Sequence, residues 1–238
     1  MDFIKRTARS LPGFRTVQAL RDVGRGGDQR NSALLRLRGP RGLFQPFGDT
    51  QEDRYPDVFA FVAQHLAGRD TSILSVGCST GEEVFSLKRY CPNARIKGLD
   101  ISPQRIAICW RQAAARGVAD VAFAVAGDTG MEPSGAYDAV LAMAVFRHGG
   151  LSDGPPECGH LLSFAMFERA MAGLSRCLRP GGLLAIRHAN FRFADIASAA
   201  DFAVVLEAEG GSPLYDRQNR RLPEAAMEAC VFLKKTEV

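Results

Sequence analysis

The chain has 238 residues, of which 46% are hydrophobic and 24% are charged, so its composition is that of a globular protein with one large domain. This balance excludes an intrinsically disordered chain, and no apolar run is long enough to span a bilayer. The net charge of +4 is uneven, because residues 1–47 carry an excess of seven positive charges and the remainder carries an excess of three negative charges.

The six cysteines show no C-x-x-C pairing, so the sequence predicts no zinc site and no other metal. The N-terminus lacks the continuous apolar core of a secretory signal. These two features predict a cytoplasmic protein whose thiols are reduced and mostly buried.

Residues 1–54 form the basic N-terminal extension. The spacing of apolar residues over 4–20 indicates an amphipathic helix interrupted by Pro12, followed by a loop at 24–28, and residues 34–38 fit either a strand or a helix. The arginines fit an arm that binds nucleic acid or an anionic membrane. They fit equally a solvated lid, which we favour because no aromatic residues are interleaved for base stacking. An organellar presequence is a third alternative, weakened by three acids.

The rest of the chain alternates between helical and strand patterns, which is typical of a parallel, doubly wound sheet. A helix is predicted over 57–67, with Pro56 in its first turn, and a short helix over 193–199. The other predicted helices cover 82–90, 103–116 and 160–177. The predicted strands cover 73–76, 95–99, 121–125, 137–143, 183–187, 202–207 and 229–234.

A glycine-containing turn follows the first strand and precedes a helix that opens with Glu82 and Glu83. Gly77 permits a sharp turn, and Gly81 would let a ligand approach the backbone. A strand, a turn and a helix N-terminus of this kind form a nucleotide cradle. The turn is not the G-x-G-x-x-G motif, because Ser79 stands where glycine is needed, and it is not a P-loop.

Two glutamates at a helix N-terminus would repel a pyrophosphate. The turn therefore suits a ligand with a ribose and a cationic end, which S-adenosylmethionine has. The second strand ends in Asp100, at the position where a carboxylate takes the ribose hydroxyls in nucleotide-binding βαβ units. The alternative is that Asp100 only helps to cap the helix that follows.

The block Gly77-Cys-Ser-Thr-Gly-Glu-Glu83, followed by Asp100-Ile-Ser102, resembles the class I S-adenosylmethionine-dependent methyltransferases and in particular the chemotaxis-receptor glutamate methyltransferases. The general resemblance covers about residues 55–238 and the narrower one about 73–103. It implies an α/β domain over 55–238: a doubly wound, Rossmann-like parallel sheet of about seven strands with a C-terminal antiparallel hairpin. It also implies that the end of the 1–54 extension covers the cofactor, with Arg54 as a candidate contact.

The resemblance implies S-adenosylmethionine as cofactor and a set of contacts to it. Asp100 would take the ribose, and Ile101 would pack on the adenine. Asp128 and Thr129 would meet the adenine amino group, unless Asp128 only forms an Asx turn before Gly130. The residues assigned to the methionine end are Gly77, Cys78, Ser79, Gly81, Glu82 and Met143.

The acceptor is less well defined, because the chemotaxis enzymes carry Arg-Asn where this chain has Met143 and Ala144. His148 is the predicted catalytic residue, a general base for a hydroxyl, although it also fits a surface histidine. Further substrate-side candidates are Arg147, His188 and Asn190.

The predicted function is methyl transfer to a carboxylate or hydroxyl oxygen of a small molecule, a glycan or a protein. A methyl-acceptor substrate is the expected partner. The alternatives are a non-catalytic S-adenosylmethionine-binding or scaffold domain, and an RNA methyltransferase that uses the basic arm.

Overall fold

The structure is a computed structural model that describes residues 27–40 and 42–236. Three short 3₁₀ helices cover Gly149–Leu151, Phe193–Asp195 and Ala197–Asp201. The helices are α1 (Gly27–Arg38), α2 (Pro56–Leu66), α3 (Glu82–Tyr90), α4 (Pro103–Arg116) and α5 (Phe164–Cys177). The strands are β1 (Ser72–Val76), β2 (Arg95–Asp100), β3 (Val121–Val125), β4 (Tyr137–Met143), β5 (Leu178–Arg187), β6 (Phe202–Glu209) and β7 (Met227–Lys234).

The seven strands form one sheet in the order β3-β2-β1-β4-β5-β7-β6. The strands β1 to β5 run parallel to one another, whereas β7 runs antiparallel to both β5 and β6. The predicted doubly wound sheet with a C-terminal antiparallel hairpin is therefore confirmed. The order of the strands reverses between β1 and β4, and a crevice at their carboxyl ends is where ligands bind in open α/β sheets.

Two apolar cores, one on each face of the sheet, hold the helices in place. Helices α2, α3 and α4 share one core, in which Phe59 and Leu87 are almost completely buried. Helix α5 shares the other, where Phe167 and Met171 are fully buried. Each such side chain stabilises the fold by about 1.5–3 kcal/mol. The central strands are buried on both faces, which explains their continuous apolar sequences.

Local signals set the ends of most elements. Ser102 caps α4, because its hydroxyl accepts from the Arg105 backbone N–H at 3.2 Å, and Pro103 follows in the first turn. The helix ends at Gly117, which has a left-handed φ of 61°. These are the boundaries that the sequence predicts.

Two predicted boundaries differ from the structure by four or more residues. Strand β5 begins at Leu178, not at 183, because Leu178 pairs with Tyr137 and the pairing continues past a bulge. Helix α5 begins at Phe164, not at 160, because the Ser163 hydroxyl caps it. The short helix over 193–199 consists of two 3₁₀ turns.

Helix α1 was not anticipated as an ordered part of the fold. It settles residues 34–38 as helix and replaces the predicted loop at residues 27 and 28, while the pattern over 4–20 lies outside the described residues. Asp28 pairs with the buried Arg105 at 2.9 Å, and the Ser102 hydroxyl donates to Asn31 at 2.8 Å. Burial would raise the pKa of Asp28, but the Arg105 guanidinium outweighs it and lowers that pKa. The extension is thus anchored to the first turn of α4.

All six cysteines are buried and unpaired, as predicted. Over the described ranges, no group of three His, Cys, Asp or Glu side chains is arranged to hold a metal ion. No helix in this part of the chain is long and apolar enough to cross a membrane.

Candidate functional site

The main cavity lies at the carboxyl ends of β1, β2 and β4, as expected for a sheet with this reversal of strand order. It holds about 880 Å³ of space, including its opening to solvent. Its inner wall comes from the ends of these strands and the turns that follow them. Its outer wall is the covering segment, residues 42–55, in which residues 42–45 and the side chains of Phe47, Arg54 and Tyr55 line the cavity.

The turn after β1 has the predicted conformation at both glycines. Gly77 has φ 72°, and a Cβ there would lie 2.5 Å from the Val145 side chain. Gly81 has φ 102°, but a Cβ there would meet the ring of Phe85 at 2.8 Å. Gly77 lines the cavity and Gly81 does not. The glycine at position 81 is therefore explained by its left-handed backbone and its packing against Phe85, and not by the approach of a ligand as the sequence suggests.

Asp100 is buried and holds the turn in place. One of its carboxylate oxygens accepts from the Ser79 backbone N–H at 3.0 Å, and the other accepts from the Ser102 backbone N–H at 2.8 Å. Burial raises its pKa, although these two hydrogen bonds oppose the shift. Each carboxylate oxygen has further acceptor capacity, and Asp100 lines the cavity beside Ile101. It can therefore also receive ligand hydroxyls.

Glu83, not Glu82, faces the cavity. The Thr80 hydroxyl donates to both carboxylate oxygens of Glu82, at 2.8 and 2.7 Å, and so keeps that side chain outside. Glu83 accepts from the Ser75 hydroxyl at 2.7 Å, and burial raises its pKa to about 7. Glu83 lies one helical turn before the fully buried Leu87, so the two share the inward face of the helix. This spacing is a signal in the sequence that could have identified Glu83, and not Glu82, as the residue that faces the cavity.

Tyr55 lines the same cavity and has a buried hydroxyl. This hydroxyl has no hydrogen-bond partner in the described part of the chain. Burial raises the pKa of Tyr55 to about 12, with Glu83 adding to the shift, so the hydroxyl stays protonated. A buried hydroxyl without a partner costs about 1–3 kcal/mol. A ligand oxygen that accepts its hydrogen would recover that cost, and sequence reasoning missed this residue.

Six of the ten predicted cofactor contacts line the main cavity, and four lie outside it. Asp128 is exposed and forms the alternative Asx turn, since its carboxylate accepts from the Gly130 N–H at 2.8 Å. Thr129 is buried against α5, where a Cβ on Gly173 would meet its hydroxyl at 2.7 Å. Gly81 and Glu82 are the other two residues outside the cavity. Near the end of β3, the cavity is lined by Ala126 and Gly127 and not by Asp128 and Thr129. The six that line it are Gly77, Cys78, Ser79, Asp100, Ile101 and Met143.

His148 lies outside the lining of the main cavity. Its Nδ1 accepts from the Gly150 N–H at 3.0 Å, so the neutral ring carries its hydrogen on Nε2. In this tautomer the lone pair that would take a proton from a substrate is already engaged, which argues against the predicted base. Asn190 is buried between the His148 backbone N–H and the Pro213 carbonyl, so it supports these loops.

Three hydrogen bonds close the covering segment over the cavity. The Gln45 amide donates to the Ala144 carbonyl at 3.3 Å, and the Ser79 hydroxyl donates to the Gly48 carbonyl at 2.8 Å. The buried Arg105 donates to the Pro46 carbonyl at 2.9 Å while it pairs with Asp28. Arg105 therefore links α1, the covering segment and α4.

We expect Arg105→Met to weaken binding of a ligand in the main cavity about tenfold, because the covering segment loses its anchor. The matched control is Arg111→Met, an exposed arginine on the same helix. Limited proteolysis should cut the covering segment faster in Arg105→Met only. Equal cleavage rates in the two variants would contradict this role.

Part of the chain is similar in sequence to known proteins. Residues 74–186 match the model of a family described as a methyltransferase domain. This stretch, slightly under half of the chain, contains the Gly77–Gly81 turn, Asp100 and Met143.

The chain is 35% identical over 115 residues to a demethylmenaquinone methyltransferase of Thermus thermophilus. That match covers 48% of this chain and 45% of the relative, so the chain spans less than half the length of the curated relative. The matched family is the general methyltransferase domain, and the narrower resemblance to the chemotaxis-receptor enzymes stays a prediction.

Two solved structures match part of this chain. A SAM-dependent methyltransferase from Aquifex aeolicus is 16% identical, with 68% of this chain and 72% of that chain covered at a TM-score of 0.42. The [4+2]-cyclase SpnF is 22% identical, with 68% of this chain and 63% of that chain covered at a TM-score of 0.46.

The residues of the main cavity fit S-adenosylmethionine, the cofactor that the sequence predicts. The buried Glu83 carboxylate suits a cationic group, the unpartnered Tyr55 hydroxyl suits a carboxylate, and Asp100 suits ribose hydroxyls. Two arginines line the cavity, but Arg54 donates to the Asp49 carbonyl and Arg105 is paired with Asp28. The carboxylates of Glu83 and Asp100 would oppose a pyrophosphate.

Proposed function

We propose that this protein transfers a methyl group from S-adenosylmethionine to an oxygen acceptor. The observation that carries the proposal is the main cavity, whose lining residues Glu83, Asp100 and Tyr55 offer groups complementary to the ammonium, the ribose and the carboxylate of the cofactor. When bound, the cofactor supplies a methyl group that is already activated by its cationic sulfur.

In this proposal the chain's own residues bind and orient. Asp100 accepts from the ribose, Ile101 packs on the adenine, and the turn at Gly77, Cys78 and Ser79 supports the methionine end. Glu83 holds the ammonium group there. Met143, at the end of β4, lines the cavity beside the methionine end. Positioning of this kind supplies much of the catalysis of a transfer between aligned groups.

An oxygen acceptor is supported by the groups next to Tyr55. Arg187 lies over the Tyr55 ring at 5.8 Å, and the His188 ring lies 5.6 Å from it. Burial, with further contributions from Arg187, Arg147 and Arg54, lowers the pKa of His188 to about 4. A neutral imidazole surrounded by guanidinium groups would favour an oxygen that is losing its proton.

A second candidate is methyl transfer to a quinone-type compound, which the sequence identity to the Thermus thermophilus enzyme favours. A non-catalytic cofactor binder and an RNA methyltransferase remain the alternatives. The basic N-terminal arm, on which the RNA methyltransferase alternative depends, lies mostly outside the described residues. We also propose a cytoplasmic location and the division of the chain near residue 54.

The direct test is calorimetric titration of the purified chain with S-adenosylmethionine, followed by incubation with a panel of carboxylic acids, phenols and quinols. Mass spectrometry would detect a gain of one methyl group on the acceptor. Saturable binding with methylation of an oxygen would support the proposal. A cofactor that binds without any methylated product would favour the non-catalytic binder.

We expect Tyr55→Phe to weaken binding of S-adenosylmethionine about tenfold, since the variant cannot donate to the cofactor carboxylate. The matched ligand is methylthioadenosine, which lacks the amino-acid end, and its affinity should be unchanged. Tyr90→Phe is the control variant, because its hydroxyl donates to Asp53 at the surface. Equal losses for both ligands would show that Tyr55 acts on the shape of the cavity.

A further inference from the structure

The two edges of the sheet differ in how they are protected. Strand β3 lies at one edge and β6 at the other. An edge strand presents a row of backbone N–H and C=O groups that invites pairing with another chain, unless charges, prolines or bulges oppose it. Strand β6 has the exposed Glu207 and Glu209 and two shifts of register. Strand β3, with the sequence Val-Ala-Phe-Ala-Val, has no charge, no proline and no shift of register. The edge at β3 is therefore open to pairing.

The hydrogen bonds from β3 to β2 show which backbone groups of β3 face outward. At its two ends, the Asp120 C=O accepts from β2 at 2.9 Å and the Ala126 N–H donates to β2 at 3.0 Å. Alternate residues of a parallel strand bond to the same neighbour, so the even-numbered residues between these ends also face β2. No backbone hydrogen bond from another described segment reaches the odd-numbered residues. The residues whose N–H and C=O groups point outward are Val121, Phe123 and Val125.

The side chains beside this open edge are apolar. Phe123 packs against Trp110 of α4, with ring centroids 5.3 Å apart, and Val121 and Val125 lie on the same face of the strand because alternate residues share a face. Trp110 is 47% exposed and Val125 is 52% exposed, although both side chains are large and apolar. Exposed apolar groups next to outward backbone groups indicate a contact with another chain.

An antiparallel copy of β3 matches this edge in both backbone and side chains. When two copies pair around a two-fold axis at Phe123, residue 121 of one copy lies opposite residue 125 of the other. Each outward N–H then has an outward C=O opposite it, which gives about six backbone hydrogen bonds. The strand is uncharged, so no like charges meet across the pair. The axis also lies beside Trp110, since that ring packs on Phe123.

We propose that the protein forms a two-fold symmetric dimer, in which the β3 strands of two copies pair antiparallel around Phe123 and join the two sheets into one. The partner is a second copy of this chain, because the register is self-complementary and the exposed Trp110 lies next to the axis. The inference does not depend on the proposed function, since none of the three outward residues lines the main cavity.

The first test is sedimentation equilibrium of the full chain between about 1 and 200 µM, a range in which interfaces of modest size dissociate. We expect the mass to rise from that of one chain to that of two. Trp110 is the only tryptophan in the sequence, so its fluorescence reports on this surface alone. Its emission should shift to shorter wavelength over the same range, because pairing removes the ring from water.

Two results of this test would overturn the inference. A dimer that forms without a change in the emission of Trp110 would use another surface. A chain that stays monomeric at every concentration would leave the edge of β3 to a strand from a different protein.

Two variants locate the contact. Val125→Lys places a charge on the open edge and should weaken the dimer about tenfold or more. Val204→Lys is the matched control, because Val204 is a 54% exposed valine on β6 at the opposite edge, and it should dimerise like the wild type. Val125→Pro removes an outward N–H that makes no bond to β2, so it should leave a folded monomer. Equal effects of the two lysines, or a Val125→Pro variant that dimerises with wild-type affinity, would contradict the proposed pairing.

Discussion

Asp100→Asn is expected to weaken binding of S-adenosylmethionine about 100-fold or more. The carboxylate accepts from the backbone N–H groups of Ser79 and Ser102, one to each oxygen, and in our proposal also receives the ribose hydroxyls. An asparagine amide has one acceptor oxygen, so its NH₂ group would face one of the two backbone donors. The loss of two or more charge-assisted hydrogen bonds, at about 1.5–3 kcal/mol each, gives this magnitude.

The measurement is calorimetric titration, with adenosine as a second ligand because it carries the ribose and lacks the methionine end. Both ligands should lose affinity by a similar factor. Asp128→Asn is the control, since its carboxylate is exposed outside the cavity and bonds to Gly130. A loss for S-adenosylmethionine without a loss for adenosine would contradict the ribose role of Asp100.

The elements that the sequence predicts well are those with local signals. The turn at Gly77 and Gly81 needs left-handed backbone at both glycines, and glycine at those positions is visible in the sequence. Helix α4 is defined by Ser102, Pro103 and Gly117 in the same way.

The parts that were missed depend on contacts between distant residues. The packing of α1 depends on Asp28 meeting Arg105, 77 positions later, and neither residue signals that pairing. In the sequence, Tyr55 is an ordinary aromatic residue before a helix, and only the structure shows that its buried hydroxyl has no partner among the described residues. Asp128 and His148 lie outside the cavity for the opposite reason, because each satisfies a polar atom locally with a backbone N–H two residues on.

Arg105, Ser102 and Asp100 connect the cover to the ligand site. The Ser102 side chain holds α1 through Asn31, while the Ser102 backbone donates to Asp100. Arg105 holds α1 through Asp28, and the covering segment through Pro46. Loss of the cover and loss of the ribose carboxylate should therefore not be additive in binding, because they act on one hydrogen-bonded network.

Glu83→Gln is expected to have opposite effects on stability and on cofactor binding. Burial raises the pKa of Glu83 from an ordinary carboxyl value to about 7, so the folded chain holds a proton that the unfolded chain releases between about pH 4.5 and 7. The stability of the empty wild type should fall as the pH rises through this range. Glutamine carries no such charge, so the variant should be more stable at pH 8 by about 2 kcal/mol. Thermal unfolding at pH 5 and pH 8 measures the difference.

Binding should show the reverse, because the cationic end of the cofactor needs the ionised carboxylate. Affinity of the wild type for S-adenosylmethionine should rise as the pH increases from about 5.5 to 7.5, with release of a proton on binding that calorimetry in two buffers detects. Below the pKa of about 7, each pH unit is worth up to about tenfold in affinity. Glu83→Gln should bind weakly and with little dependence on pH. Glu82→Gln, whose carboxylate is held by Thr80 outside the cavity, should behave as the wild type. A pH-independent affinity in the wild type would show that Glu83 does not meet the cationic end of the ligand.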